Sequence, residues 1–261
     1  MDPMLFLLKL VLTPILVAAV SLAARRWGAT VGGLLLGLPW LTGPILFFLA
    51  LDKGDTFAAA ACTGVELGVV CIAAYLLAYG LVSLAAGWPL SLASAVLAFL
   101  GTAWVTQELA LPLTTAAAAA AGSLVLAFLL LPHSRKLVAI ETPLPCWDIP
   151  MRMLATFILV ALITLTAEAL GPELSGIAAT FPCIVTVVGS FTHHQWGGVA
   201  ARRMLRGLAR SLFSFVAFFL VVGATLPEVG LVPSFVAASA VALLISGAML
   251  EFDRRQRLAR A

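Results

Sequence analysis

The sequence predicts an all-α polytopic membrane protein of about nine transmembrane helices, in which helices 2 and 7 are broken by proline. The arrangement is four, one and four, with the second four inverted. Three observations lead there: an apolar composition, a one-sided distribution of basic residues, and a pattern of glycines and prolines that returns after 143 residues. Hydrophobic residues make up 62% of the 261 and charged residues 10%, with a mean hydropathy of +1.12. A water-soluble domain carries about 25% charge and has no core large enough to hide so much apolar surface. The lipid bilayer is therefore the expected solvent for one membrane domain over residues 1–261, and no soluble domain is indicated.

Apolar runs near the length that crosses a roughly 30 Å hydrocarbon core recur along the chain. The expected spans are 4–23, 29–51, 55–82, 89–107, 112–132, 149–170, 174–192, 198–226 and 229–250. Lipid offers the backbone no hydrogen-bond partner, and these runs lack the two-residue alternation of barrel strands, so they are expected to be helical.

Helix 1 opens Met1-Asp2-Pro3 without a basic n-region, and its basic pair Arg25-Arg26 follows the apolar run. It is expected to remain as an anchor rather than be cleaved as a signal peptide. Helix 2 is interrupted by Gly37-Leu38-Pro39-Trp40-Leu41-Thr42-Gly43-Pro44. Proline removes an N–H and clashes with the carbonyl one turn back, so the pair Pro39 and Pro44 unwinds this helix rather than merely bending it. Helix 3 carries Glu66, the one acid deep within a span, with Cys62 a turn earlier on the same face. Helices 4 and 5 are uncharged through their spans, and helix 6 opens with Asp148 and Arg152. Helix 7 is interrupted by Thr180-Phe181-Pro182-Cys183, then carries Thr186, Ser190 and Thr192 and ends in His193-His194. Helix 8 follows a short turn and bears Arg202, Arg203, Arg206 and Arg210; helix 9 leads into a basic tail over 251–261.

Lys and Arg are retained on the cytoplasmic side of a membrane. An outside N-terminus and a cytoplasmic C-terminus put all four arginine-rich segments inside and leave Lys9 and Lys53 for the outer half, where Asp52, Asp55, Glu108 and Glu228 also fall. A bacterial-type inner membrane is the expected location. The net charge of +3 lies in these flanks, which points to retention and anionic-lipid contact rather than to nucleic acid.

Shifting the chain by 143 residues superposes Lys9 on Arg152, Thr13 on Thr156, Gly28 on Gly171, Gly33 on Gly176, Pro39 on Pro182, Gly54 on Gly197 and Gly64 on Gly207. No gap is needed. Coincident glycine and proline punctuation in one register marks an internal repeat. The units are expected at 4–107 and 149–250, separated by 108–148, a spacer helix with its cytoplasmic loop. One spacer helix inverts the second unit, which gives the in-plane pseudo-two-fold axis found in secondary transporters. A duplication retained only for packing is the alternative.

Unwound backbone at mid-depth is tolerated only where protein buries it or a cavity hydrates it. Pro39, Thr42, Gly43 and Pro44 on helix 2, with Thr180, Pro182, Cys183, Thr186 and Ser190 on helix 7, are therefore the expected substrate-binding residues. Half-helices starting at Thr42–Pro44 and at Thr180–Pro182 would aim two positive dipole ends inward and favour an anionic group. Ordinary proline kinks, and hydroxyls bonded back to their own helix, are the competing readings. Lys9 and Arg152 are expected as entrance charges, or else as a snorkelling lysine and an arginine paired with Asp148 four residues before it. Glu66 is the expected proton-coupling residue, with a structural hydrogen bond between helices as its alternative.

Cys62, Cys71, Cys146 and Cys183 show no C-x-x-C spacing, and the adjacent histidines point in two directions, so neither disulfide nor metal is expected. There is no H-E-x-x-H, G-x-S-x-G or Gly-rich nucleotide loop, which excludes the common membrane-enzyme chemistries and a nucleotide cofactor. The expected function is proton- or ion-coupled transport of a small, anionic solute by alternating access. A flippase for a phosphorylated lipid carrier, recognised by its phosphate headgroup, is the first alternative, and a channel or structural subunit the second. The plan resembles that of several classes of small secondary transporter, a likeness of architecture that carries no residue roles.

Overall fold

A computed structural model describes residues 3–39, 42–131, 147–170 and 181–258. The described residues form nine helices and no strands: α1 (Pro3–Trp27), α2 (Ala29–Leu36), α3 (Thr42–Lys53), α4 (Asp55–Val82), α5 (Trp88–Thr106), α6 (Leu113–Leu130), α7 (Asp148–Leu170), α8 (Cys183–Val229) and α9 (Leu231–Leu258). Six of the described helices are long and apolar enough to cross a membrane, among them α4, α5, α6 and α9 over their apolar lengths. Leu97, Leu129, Leu243 and Leu244 are each two-thirds or more exposed. An outer surface built of such residues is stable against acyl chains and not against water, and the chain is a helical membrane protein.

The expected loops between successive spans are shorter than the sequence implies. Single glycines make the corners: Gly28, Gly54, Gly197 and Gly230 are the positive-φ residues of the described chain. Gly54 (φ 88°, ψ 164°) separates α3 from α4, and Gly197 (φ 78°, ψ 171°) breaks α8 into arms 183–196 and 198–229. A side chain at such a φ would collide with its own backbone, so only glycine turns the chain this sharply without a loop. The first arm of α8 runs to the end of the bundle that holds Arg25, Asp148 and Gln195, and the second runs back from Arg202.

The same end gathers the C-termini of α4 and α6. Arg202 Nη1 donates to the Ser83 carbonyl at 2.8 Å, and Arg206 Nη1 to the carbonyls of Phe128, at 3.0 Å, and Leu131. Both guanidiniums thus meet the negative ends of helix dipoles. Arg206 and Arg210 also lie over the Phe128 ring, at 4.3 and 4.9 Å. This is the basic end; the opposite end is an apolar cluster of Leu46, Ala50, Ala58, Cys62, Phe219, Val222 and Leu226.

Helix α2 sits flush on the second arm of α8 through Gly33 and Gly37. A Cβ on Gly33 would overlap the Met204 carbonyl, and one on Gly37 would overlap the Ser211 side chain. Small residues one turn apart let two backbones touch where lipid supplies no hydrophobic drive to hold helices together. Helices α1 and α7 form a second seam, in which Thr13, Val17, Thr156 and Val160 are buried.

Candidate functional site

The break expected in helix 2 separates α2 from α3, between Leu36 and Thr42. The Gly43 amide donates to the Pro39 carbonyl at 3.0 Å, and α3 begins at Thr42. Gly43 is buried, and a Cβ there would meet the Phe218 ring at 3.6 Å. Thr42 is half-buried and Pro44 exposed. Gly43 is therefore the residue of this group that the second arm of α8 covers, while Pro44 turns outward.

The second break opens α8. Pro182 holds the N-cap position and Cys183 the first helical turn; Thr180 and the side chain of Lys9 lie outside the described residues. Cys183 is half-buried, with its thiol near Tyr75. Thr186 reaches across to α4, with its Oγ1 3.2 Å from Tyr75 Oη, and the buried Ser190 lies beside Tyr79. The Phe181 ring meets Phe99 of α5 edge-on at 5.3 Å. Thr192 Oγ1 lies 3.8 Å from Met204 Sδ on the other arm. The two breaks thus rest on different helices, the first on the second arm of α8 and the second on α4 and α5.

Glu66 is the twelfth residue of the 28 in α4, about 17 Å along it at the rise of a helix. It is fully buried, and neither carboxyl oxygen has a hydrogen-bond partner. Cys62, one turn before it, belongs to the apolar cluster of the opposite end, and Val69, one turn after it, to the larger cluster toward the basic end. A carboxylate without a partner in such surroundings costs several kcal/mol, so Glu66 either carries a proton or waits for a cation.

Arg152 was expected either at an entrance or beside Asp148, and it is buried in a four-residue cluster. Its Nε donates to Asp148 Oδ2 at 3.0 Å and its Nη2 to Gln195 Oε1 at 2.7 Å. Gln195 donates in turn to Asp148 Oδ1, and Arg25 to Oδ2. The Arg152 guanidinium also covers the Phe191 ring at 5.0 Å. One carboxylate therefore ties α1, α7 and the first arm of α8 together at the basic end. The cluster forms a latch.

Sequence reasoning missed Gln195, Arg25, Tyr75 and Tyr79 as site residues. Tyr79 Oη lies 3.2 Å from His193 Nδ1, and His193 and Arg202 share the basic end of the α4–α8 contact. The one local signal was the spacing of Tyr75, Tyr79 and Ser83, four residues apart, which puts three polar groups on one face of the chain toward the C-terminus of α4. Among the described residues no group of three His, Cys, Asp or Glu could hold a metal ion. The chain matches no family model, no curated protein and no solved structure, so the roles of these residues follow from their own geometry.

Proposed function

We propose that this protein is a secondary transporter that moves a small anionic solute by alternating access between two inverted repeats, residues 4–107 and 149–250, with α6 as the spacer. One observation carries the reading. Tyr75 on α4 contacts Thr186 on the first arm of α8, and Phe218 on the second arm lies over Gly43 on α3. Adding 143 to Tyr75 and Gly43 gives Phe218 and Thr186, so the two contacts are one contact with the repeats exchanged. Exchange of this kind is what a two-fold axis between the repeats produces, and the single spacer helix would put that axis in the membrane plane.

Other features fall into the same register. The corner glycines Gly54 and Gly197 share a conformation, α1 and α7 end at Trp27 and Leu170, and Gly87 and Gly230 each precede a helix. Thr13 and Thr156, and likewise Val17 and Val160, are mates buried in the α1–α7 seam. In the alternating-access reading the Asp148 latch holds the basic end shut. The basic end is the cytoplasmic one by the retention rule for Lys and Arg. Two helices starting at mid-depth, with hydroxyls rather than acids beside them, favour an anion. Glu66 supplies the proton that couples its movement.

The test uses reconstituted vesicles with a trapped pH dye, challenged with a panel of small carboxylates and phosphates. Particular anions are expected to drive proton movement through the wild type. Glu66→Gln keeps the shape and cannot release a proton, so it is expected to abolish the signal while anion binding persists. Proton movement at the wild-type rate in Glu66→Gln would remove Glu66 from the mechanism, and a response to cations alone would overturn the anionic substrate.

A further inference from the structure

Three polar contacts join α4 and its C-cap Ser83 to the two arms of α8 toward the basic end: Tyr75 with Thr186, Tyr79 with His193, and Ser83 with Arg202. In the repeat register, with the units exchanged, the same pairs become Phe218 with Gly43, Val222 with Ala50, and Leu226 with Ala59. Ala50, Phe218, Val222 and Leu226 are buried members of the apolar cluster at the opposite end, and Ala59 packs against it. Hydrocarbon is therefore enough to hold helices together at these positions. The polar set at the basic end has another use.

Its chemistry is that of a guanidinium and an imidazole brought together beside the Ser83 carbonyl. Arg202 is 8% exposed and its Nη1 bonds to the Ser83 carbonyl at 2.8 Å and to Ser83 Oγ at 3.1 Å. Its Nε is buried without a partner, and no carboxylate pairs with it among the described residues. The C-terminus of α4 offsets only part of a full positive charge. His193, also 8% exposed, turns Nδ1 to Tyr79 and leaves Nε2 on the side of Arg202. Both meet over Gly198: the point where a Cβ would stand lies 3.2 Å from His193 Nε2 and 3.2 Å from Arg202 Nη1. It also lies 2.7 Å from the Ser83 carbonyl, so a side chain there would push into all three groups.

We propose that Arg202 and His193 form a binding site for an oxyanion, a phosphate or carboxylate group, between α4 and the corner of α8. A guanidinium with a free Nε edge matches two oxygens of such a group, and the imidazole matches a third, while the Ser83 hydroxyl gives its proton to the Gly80 carbonyl and only accepts from Arg202. The site lies where a solute would enter or leave the polar line that runs through Tyr79 to Tyr75 and Thr186. The register comparison rests on the transporter reading, whereas oxyanion binding is measured at equilibrium without transport.

The experiment is calorimetric titration of inorganic phosphate into the full chain, once in nanodiscs of phosphatidylcholine and once in discs containing phosphatidylglycerol. Saturable binding is expected in the first. Arg202→Lys, which keeps the charge and loses the fork, and His193→Asn are each expected to weaken it about tenfold or more. Arg26→Gln removes a charge from an exposed position and is expected to leave it unchanged. Competition from phosphatidylglycerol would identify a lipid headgroup as the natural occupant, and unchanged binding a soluble anion. Melting temperatures report whether each variant is folded. No saturable binding in either disc, equal binding in folded Arg202→Lys and the wild type, or equal weakening by Arg26→Gln would overturn the site. Phosphate binding in a protein whose two ends do not move would leave this site standing and defeat the transporter reading alone.

Discussion

Asp148→Asn is expected to destabilise the protein by about 3 kcal/mol, because it leaves two guanidiniums facing a buried site from which the one carboxylate has gone. Arg25 and Arg152 both donate to Asp148, and Arg152 is 2% exposed. Asparagine preserves the shape and one acceptor oxygen, so the loss reads the charge rather than a cavity. The double change Asp148→Asn with Arg152→Gln is expected to cost less than the sum of the two single changes, since removing both members of a buried pair leaves no charge stranded. Thermal or denaturant unfolding in detergent gives the four values of the cycle. Strict additivity would show that the pair contributes nothing as a pair, and the cluster would then not act as a latch.

Gly33→Ala is expected to cost about 3 kcal/mol, the upper range for overpacking a tight contact, because its Cβ meets backbone and not the movable end of a side chain. The obstacle is the Met204 carbonyl and the Leu208 amide on the second arm of α8, which cannot give without moving the arm. Gly101 on α5 has no atom within 4 Å of the same position. Gly101→Ala is therefore expected to be neutral or to stabilise by up to about 1 kcal/mol through helix propensity. Melting temperatures of the two variants, measured side by side, separate close approach from a general intolerance of glycine replacement. A Gly33→Ala protein as stable as Gly101→Ala would mean that α2 does not lie on α8 as described.

What the sequence disclosed is what local chemistry dictates. The break between α2 and α3 was legible because Pro39 and Pro44 act on their own helix, whatever surrounds it. The Arg152–Asp148 pair was legible because four residues make one helical turn. Glu66 stood out as an acid in an apolar run, and the structure buries it with neither carboxyl oxygen hydrogen-bonded. At the corners the helices run on past the expected spans to a single glycine, because nothing in the local sequence distinguishes a glycine that merely packs from one that turns the chain alone. Gly54 and Gly197 do the latter; Gly33 and Gly37 do the former. Gln195 and His193 were out of reach for a different reason. Their partners are 47 and 114 residues away, and long-range pairing leaves no periodic trace in the chain.

The alternating-access account is tested most directly by distances at the two ends of the bundle, read by double electron–electron resonance on a background free of native cysteines. Ala85 and Leu154 are exposed toward the basic end, and their repeat-mates Glu228 and Val11 are exposed toward the opposite end. Spin labels on the two pairs therefore report equivalent separations with the repeats exchanged. The account predicts two populations for each pair and opposite responses to loss of the latch: in Asp148→Asn the Ala85–Leu154 distance lengthens while the Glu228–Val11 distance shortens. One fixed distance for each pair in both proteins, or a change of the same sign at both ends, would contradict it.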